Sequence, residues 1–355
     1  VDIASFRGSL KAVHGTRNGA TSAIGNALFD PLGMMFGAVH HGLADEFGKD
    51  NTGLHACGMI EWVSQSHELY ASELEQRFDS LNAAGYGVSL LTAAELKEAL
   101  PYAAIDENAI GLMAGRDAWI DVPKLLEFLV DQINLMGGRV FTRTTALKLI
   151  ADESGQACGL VTSHGDFHSD IVVTCAGQNT PEVLADITGY DAYRTRFPMN
   201  RSAGILLQTP PLQDYAQLDR IVYTGGPQGL HARPTAAGGI IAGDDVIDGW
   251  VCDDPCQSNI DRASEELLRR IKRYYPNVPE SLNYSECRSD LGIRAVPSDD
   301  RTLVGYLPGA DSVFTVCTHS GITLCLVLAD LVCQSLQDGH LVRRLLPYSL
   351  ERFTD

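Results

Sequence analysis

One stretch near the C-terminus, residues 317–324, constrains the fold more than any other part of the sequence. Residues 313–316 are apolar or β-branched and predict a buried strand, while apolar residues recur at helical spacing over 322–336. A strand that enters a helix through a short glycine-containing turn directs backbone N–H groups and the helix N-terminus at one point. The turn therefore suits a negative or electron-rich ligand group, although an ordinary strand–helix connection capped by Ser320 would show the same pattern.

The size and charge of the chain limit the classes of function. With 355 residues, of which 45% are hydrophobic, the chain is long enough for a large core and for two domains. The formal net charge of -18 argues against nucleic acid and against anionic membrane surfaces as partners. The longest apolar run is interrupted by Asp330, so we predict no membrane span.

The cysteines and the first residues indicate where the protein works. The nine cysteines lie mostly within apolar strands and helices, which predicts reduced thiols and a cytoplasmic location. The N-terminus has no basic region followed by an apolar one, as a secretory signal would have. Cys252 and Cys256 have the spacing of a metal-binding pair, but no second pair follows, so we predict a loop and no metal site.

The predicted elements have two different textures along the chain. The first part alternates between helices and strands, with helices at 59–78 and 122–136, a short helix capped by Thr92 and Glu95, and strands at 139–142, 146–150, 157–163 and 170–177. From about residue 198 short β-like runs follow, at 203–208, 220–223, 229–233 and 239–242, and then a helix at 258–275. The interleaving predicts a discontinuous α/β domain and a largely antiparallel β layer covered by helices.

Five groups of residues carry a family resemblance, and they occur in a fixed order. They are 19–22 (GATS), 119–123 (WIDVP) with 137–140 (GGRV), 172–177 (VVTCAG), 292–297 (GIRAVP), and 319–324 (HSGITL) with 347–353 (PYSLERF). Together they resemble motifs of the FAD-dependent amino-acid and amine oxidoreductases, the family of D-amino-acid oxidase, glycine oxidase and sarcosine oxidase. The resemblance implies an α/β fold with an FAD-binding Rossmann-like domain and a discontinuous, largely antiparallel substrate domain. It assigns residues 1–78, 115–190 and 286–355 to the first domain, and residues 79–114 and 191–285 to the second.

The sequence departs from this family at the segment that holds the FAD pyrophosphate. The family opens with a strand, a Gly-x-Gly-x-x-Gly turn and a helix. The nearest string here, residues 85–90, has Leu90 in place of the third glycine. The predicted FAD-binding domain is therefore incomplete at its N-terminus, and we expect the chain as written to bind FAD weakly. An alternative function is that of a truncated or degenerate family member that acts as a subunit or a binding protein.

The resemblance implies the reaction and its partners. Family members oxidise the CH–NH bond of an amino acid or secondary amine by hydride transfer to flavin N5, and the electrons then pass to oxygen or to a quinone or other carrier. The flavin supplies the electronic chemistry, so the protein mainly positions the reactants. The expected cofactor is FAD, and the expected substrate is a small amino acid or amine.

The resemblance also implies roles for individual residues. Arg294 would bind the substrate carboxylate, although a surface or interdomain salt bridge would also explain an arginine there. Tyr223 would line the substrate pocket or simply pack, and His319 would face the flavin or be a core histidine. His231 and Arg233 alternate along one strand and would line the pocket or face solvent. The cofactor-binding candidates are Thr21, Ser22, Ala146, Ala176, Gly177, Gly292, His319, Ser320, Gly321, Ile322 and Thr323.

Overall fold

The computed structural model describes residues 20–21, 36–212, 218–252 and 254–353 of the chain. These residues form two compact units. One contains Lys124–Ser202 and residues from Ile293 onwards, and we call it the parallel-sheet unit. The other contains residues 36–123 and Ala203–Gly292, and we call it the large-sheet unit.

The helices of the described residues are numbered in chain order. They are α1 (Phe36–Phe47), α2 (Lys49–Thr52), α3 (Glu68–Ala83), α4 (Ala93–Ala99), α5 (Val122–Leu135), α6 (Thr180–Thr188), α7 (Tyr193–Arg196), α8 (Asp245–Cys252), α9 (Gln257–Tyr274) and α10 (Gly321–Asp338). Short 3-10 turns cover Gly177–Asn179, Tyr284–Glu286, Leu346–Tyr348 and Leu350–Phe353.

The strands are numbered in the same way and form four sheets. They are β1 (Ala20–Thr21), β2 (Leu54–His55), β3 (Met59–Ser64), β4 (Val88–Thr92), β5 (Ala109–Ala114), β6 (Ala118–Ile120), β7 (Ala146–Ala151), β8 (Ala157–Thr162), β9 (Gly165–His168), β10 (Val172–Thr174), β11 (Met199–Gln208), β12 (Ile221–Thr224), β13 (Leu230–Pro234), β14 (Ile240–Gly243), β15 (Arg288–Pro297), β16 (Leu303–Leu307) and β17 (Ala310–Cys317). The sheet orders are β1-β6-β2, β10-β17-β16, β7-β8-β9 and β15-β11-β14-β13-β12-β3-β5-β4.

The parallel-sheet unit is built around β17, whose residues are apolar and almost entirely buried. β17 pairs in parallel with β10 and antiparallel with β16. Leu303, Val313 and Cys317 from these strands pack with Leu184 of α6 in one buried cluster. α10 follows β17 and buries its apolar residues, as the 3.6-residue period of its sequence requires. Gly339 ends this helix in the left-handed conformation that glycine adopts at no steric cost.

The large-sheet unit contains the eight-stranded sheet, and helices cover it. β3 pairs in parallel with β12 and antiparallel with β5, so a parallel pair lies in the middle of an otherwise mainly antiparallel arrangement. α3 packs on β3, β4 and β5 through Leu74 and Leu81, which join a buried cluster with Met59 and Leu112. α9 packs on β13 and β14.

The predicted fold class is confirmed, since the chain is a mixed α/β protein with several sheets. The helices predicted at 122–136, 258–275 and 322–336 are α5, α9 and α10, and the capping box of Thr92 and Glu95 opens α4. α10 has the length and hydropathy of a possible membrane span, but 61% of it is buried inside the protein, as in an ordinary core helix.

Two predicted elements are wrong. Residues 59–64 form β3 instead of the start of a helix, because Ile60, Trp62 and Val63 are β-branched or aromatic side chains that the sheet buries. Residues 139–142 form an irregular connection rather than a strand, and Arg143 has a positive φ of 55° that breaks an extended chain.

The compact units divide at different points from the predicted domains. The predicted first domain includes residues 1–78, whereas β3 is hydrogen-bonded within the eight-stranded sheet and residues 36–123 group with the large-sheet unit. The chain passes between the units at residues 123–124, 202–203 and 292–293. The predicted roles of the two domains, one for FAD and one for substrate, stay predictions.

Candidate flavin and substrate site

The first candidate site begins where two parallel strands end. Val172, Val173 and Thr174 of β10 pair with Val313, Phe314 and Thr315 of β17. The buried hydroxyl of Thr174 donates to that of Thr315 at 3.0 Å, which locks the register. In open α/β sheets ligands bind outside the carboxyl ends of such strands, and here both ends lead into helical segments.

The end of β10 brings the chain close to β17. Gly177 has a positive φ of 55°, a conformation that favours glycine. Its carbonyl oxygen accepts a hydrogen bond from the Thr180 hydroxyl at 2.7 Å and lies 4.0 Å from the sulfur of Cys317. Burial raises the pKa of the Cys317 thiol to about 12, so a neutral thiol lies between the strand ends. Ala176, just before the glycine, is half-buried.

The end of β17 leads into the N-terminus of α10. Ser320 is the N-cap residue, but its side chain makes no capping hydrogen bond, and the imidazole Nδ1 of exposed His319 lies 3.5 Å from its hydroxyl oxygen. The backbone N–H of Ser320 donates to the Thr318 hydroxyl at 3.3 Å. A Cβ atom at Gly321 would meet no heavy atom within 4 Å, so open space lies beside the first turn of α10.

This open end of α10 suits an electron-rich group. The first backbone N–H groups of a helix have no acceptor within the helix, and the helix dipole makes that end electropositive. Leu324 is the first residue whose N–H returns to the cap, through the carbonyl of Ser320 at 2.9 Å. Gly321, Ile322 and Thr323 therefore carry the N–H groups that a ligand at this turn would meet.

The other candidates of the parallel-sheet unit lie on two further strands. Arg294 is half-buried in β15, and half-buried Ala146 opens β7 opposite Thr162. After β15 the chain turns at Asp300, which has a positive φ of 60°. Gly292 also lies in β15, but it belongs to the large-sheet unit.

A row of polar side chains crosses the large sheet on three adjacent strands. Tyr223 of β12 pairs directly with Glu61 of β3 on one side and with His231 of β13 on the other. The rings of Tyr223 and His231 are 5.8 Å apart, and all three residues are half-buried. Arg77 of α3 forms an ion pair with Glu61. Paired residues of neighbouring strands share a face, so a carboxylate, a phenol and an imidazole lie side by side.

Arg233 lies two residues further along β13 and is only 4% exposed. Its guanidinium is 4.8 Å from the ring of Trp119, which stacks on His55 with ring centroids 3.6 Å apart. Burial lowers the pKa of Arg233 to about 10, with the charge of Asp121 opposing the shift, so the side chain stays cationic at neutral pH. Of the two alternatives for Arg233, exposure to solvent is therefore wrong.

Thr21 and Ser22 were predicted to contact the cofactor. Thr21 belongs to the two-residue strand β1, where it pairs with Ala118 of β6. Ser22 lies outside the described residues.

The structure brings together some of the predicted residues and adds others. Strand pairing joins Ala176 and Gly177 to the turn at residues 319–323, whereas Tyr223 belongs to the large-sheet unit. Sequence reasoning missed Glu61, because the helix predicted over 59–78 concealed the two-residue alternation that places it beside Tyr223. It also missed Arg270 of α9, since no local pattern distinguishes a buried arginine from the exposed Arg269 beside it.

Comparison with known proteins identifies the family. The sequence profile of the DAO family, FAD dependent oxidoreductase, matches residues 10–335. The chain belongs to this family. FAD is therefore the cofactor of its family, as predicted, and the chain is an FAD-dependent oxidoreductase. A sequence search of curated proteins found no match.

Solved structures of the same fold cover nearly the whole chain. Glycine oxidase from Geobacillus kaustophilus is 19% identical, with a TM-score of 0.71, over 96% of this chain and 87% of that one. L-proline dehydrogenase from P. horikoshii is 14% identical, with a TM-score of 0.76, over 99% and 94%. L-amino acid deaminase from Proteus vulgaris is 18% identical, with a TM-score of 0.72, over 97% and 84%. At these identities the similarity establishes the fold.

The residues at the strand ends fit one end of the cofactor. The open space beside Gly321 and the N–H groups of α10 match the electron-rich pyrimidine edge of a flavin, and Gly177 allows a close backbone approach. For the pyrophosphate, the 355 residues contain no Gly-x-Gly-x-x-Gly string. The residues at the strand ends therefore fit the flavin ring, and no such string accounts for the binding of the pyrophosphate.

Proposed function

We propose that this protein oxidises the CH–NH bond of an amino acid or secondary amine and transfers the hydride to N5 of FAD. The main support is the parallel pair β10–β17 in a chain that belongs to this family. After these strands the chain reaches Gly177 on one side and the open N-terminus of α10 on the other. Such an end offers several N–H donors at one point without any acidic side chain in its first turn.

FAD, when bound, supplies the electron sink for the hydride. The residues of this chain would hold the ring and stabilise its charge. N–H groups of Gly321, Ile322 and Thr323, together with the dipole of α10, favour negative charge at the pyrimidine edge. His319 and Ser320 lie at the same turn and would contact that edge. Further contacts to the cofactor are assigned to Thr21, Ser22, Ala146, Ala176, Gly177 and Gly292.

Substrate contacts are proposed separately for two side chains, one in each unit. Arg294 presents a planar guanidinium that can form two parallel charged hydrogen bonds to a carboxylate. Tyr223, with His231 beside it, offers a hydroxyl and an apolar ring to the remainder of the substrate. Neither group needs to act as a strong acid or base, because the reaction is accelerated mainly by positioning the C–H bond against the flavin.

The solved structures of this fold support the substrate class. They include an oxidase of glycine, a dehydrogenase of L-proline and a deaminase of L-amino acids, which are all amino-acid enzymes. The electron acceptor is proposed to be oxygen or a quinone or other carrier. We also propose a cytoplasmic location, which is supported by the position of most of the nine cysteines within apolar strands and helices.

Anaerobic reduction of the flavin tests the function. Protein saturated with FAD is mixed without oxygen with a panel of amino acids and secondary amines, and the yellow flavin band is followed. Bleaching by members of the panel supports the proposal, and re-oxidation with oxygen or a quinone then identifies the acceptor. A flavin band that no amine bleaches, but that dithionite does, would favour the alternative of a degenerate family member that binds without turnover.

A further inference from the structure

The loop between β12 and β13 is held at both ends. At its start, the N–H of Gly225 donates to the Trp62 carbonyl of β3 at 2.8 Å. At its end, the N–H of Gly229 donates to the Gly226 carbonyl at 2.9 Å, and a Cβ at position 229 would lie 2.6 Å from the Thr224 carbonyl oxygen. The turn is therefore too tight for a side chain at position 229.

Two side chains of α9 hold the closing end of this loop. Arg270, only 4% exposed, donates from its guanidinium to the Gly229 carbonyl at 2.8 Å. The hydroxyl of Tyr274 donates to the Gln228 carbonyl at 2.8 Å. The ring of Tyr274 meets Trp62 edge-on at 5.8 Å, so the same tyrosine contacts the strand that holds the start of the loop.

Arg270 is itself fixed by two carboxylates. Its guanidinium pairs with Asp244 at 3.0 Å and with Glu266, one turn earlier on α9, at 2.8 Å. Asp244 also accepts hydrogen bonds from the N–H groups of Val246 and Ile247, both at 3.1 Å, and so caps α8. The hydrogen bonds of Arg269, and secondly those of Arg270, lower the pKa of Glu266 to about 2, which keeps this carboxylate ionised at any ordinary pH.

The held carbonyl lies two residues from the polar row of the sheet. Thr224 pairs with Leu230 and Tyr223 with His231, so the position of Gly229 determines where β13 begins to pair with β12 beside these two rings. The buried guanidinium of Arg270 tolerates little movement, because the loss of any of its hydrogen bonds would leave a charged group without a partner in the protein interior.

We propose that Arg270 is a positioning residue for substrate contact, which acts through the Gly229 carbonyl on the Tyr223–His231 pair. This proposal rests on the proposed function insofar as Tyr223 contacts the substrate. Arg270 touches neither substrate nor flavin in this role; it determines where the hairpin places its rings.

The test compares two conservative variants with a matched control. Arg270→Lys keeps the charge beside Asp244 and Glu266 but cannot reproduce the forked contacts, and Tyr274→Phe removes only the hydrogen bond to Gln228. The control, Arg269→Lys, alters the neighbouring arginine, which pairs with the same Glu266 but is 51% exposed and, among the described residues, makes no hydrogen bond to the loop. Each protein is labelled with fluorotyrosine, and Tyr223→Phe assigns the fluorine resonance of Tyr223.

Two readouts decide the proposal. We expect Arg270→Lys to shift or broaden the Tyr223 resonance and to raise KM on the order of tenfold with a smaller change in kcat, since a small misplacement weakens binding and alignment. Tyr274→Phe should do the same more weakly, and the control should do neither. An unchanged Tyr223 resonance in Arg270→Lys would overturn the proposal, as would a lower melting temperature with an unchanged KM. If the wild-type protein oxidises no amine, the proposed function fails, whereas the resonance still decides the role of Arg270.

Discussion

At the scale of single residues, the role proposed for Arg294 is to bind the carboxylate of an amino-acid substrate. We expect Arg294→Ala to raise KM for amino-acid substrates by the equivalent of about 2–4 kcal/mol, because a charged, two-point hydrogen bond is lost. Arg294→Lys should recover only part, since a single ammonium cannot form the planar fork. Arg288→Ala is a matched control, because Arg288 lies in the same strand, is 51% exposed and pairs with Asp290 at the surface. Equal kinetics for Arg294→Ala and its control would exclude the carboxylate role.

Gly321 is the residue whose change should separate flavin binding from folding. A valine side chain at this position would enter the open space where the flavin edge is proposed, so we expect weaker flavin binding with an unchanged helical signal in circular dichroism. Valine is no worse a helix former than glycine, and the helix should therefore persist. Gly249→Val in α8 is the control, since that glycine is also surrounded by open space. A loss of flavin affinity in both variants, or in neither, would show that the turn has no specific role.

At the scale of elements, an ion pair between Arg352 and Asp299 joins the C-terminal segment to the turn after β15. Arg352 donates to both carboxylate oxygens of Asp299, at 2.8 and 2.9 Å, and to the carbonyls of Tyr348 and Ser349. These bonds from Arg352 lower the pKa of Asp299 below its usual value. The stabilisation is thus present above the unfolded pKa of about 3.9 and is lost as the pH falls through the lower folded value.

A pH series of melting curves checks this sign. We expect Asp299→Asn to lower the stability on the order of 1 kcal/mol at neutral pH, and the difference from wild type to shrink below about pH 4. Asp290→Asn, which removes the partner of the more exposed Arg288 (51% exposed, against 17% for Arg352), should have little effect at any pH. A difference that grows in acid would contradict the assignment.

Elements were predictable from sequence where the signal is local. The helix over 322–336 and the capping box of Thr92 are specified by residues within a few positions, and both are present. β3 was missed because its six residues precede an amphipathic helix, and only the neighbouring strands β12 and β5 show that they are extended. Tyr223 could be singled out, and His231 faces it across a local hairpin, but its position beside Glu61 depends on strand pairing across more than 150 residues of chain.

At the scale of the whole molecule, the order of short motifs identified the family, whereas the long-range contacts could not be read from the sequence. Arg270 shows the reason: apart from Glu266 on the same helix, its partners are Asp244, just before α8, and Gly229 in the β12–β13 loop, and nothing near position 270 indicates these two. The turn at residues 317–324 was recognised because a strand, a glycine and a helix follow one another directly. A site is therefore predictable when its residues are neighbours in the sequence, and much less so when folding brings them together from distant parts of the chain.

The net charge of the whole chain leads to a last prediction, which concerns affinity for the dinucleotide. The two phosphates of FAD require N–H donors or cations, yet the chain has a net charge of -18 and no Gly-x-Gly-x-x-Gly string. The residues at the strand ends fit the flavin ring of the cofactor and not its phosphates. We therefore expect the 355-residue chain to bind FAD weakly, with a dissociation constant of about 10 μM or higher, and to bind FMN nearly as well, since the adenylate half adds little. Titrations that follow quenching of flavin fluorescence measure both constants. Protein that purifies with stoichiometric FAD, or that prefers FAD to FMN by about a hundredfold, would show that other residues hold the phosphates.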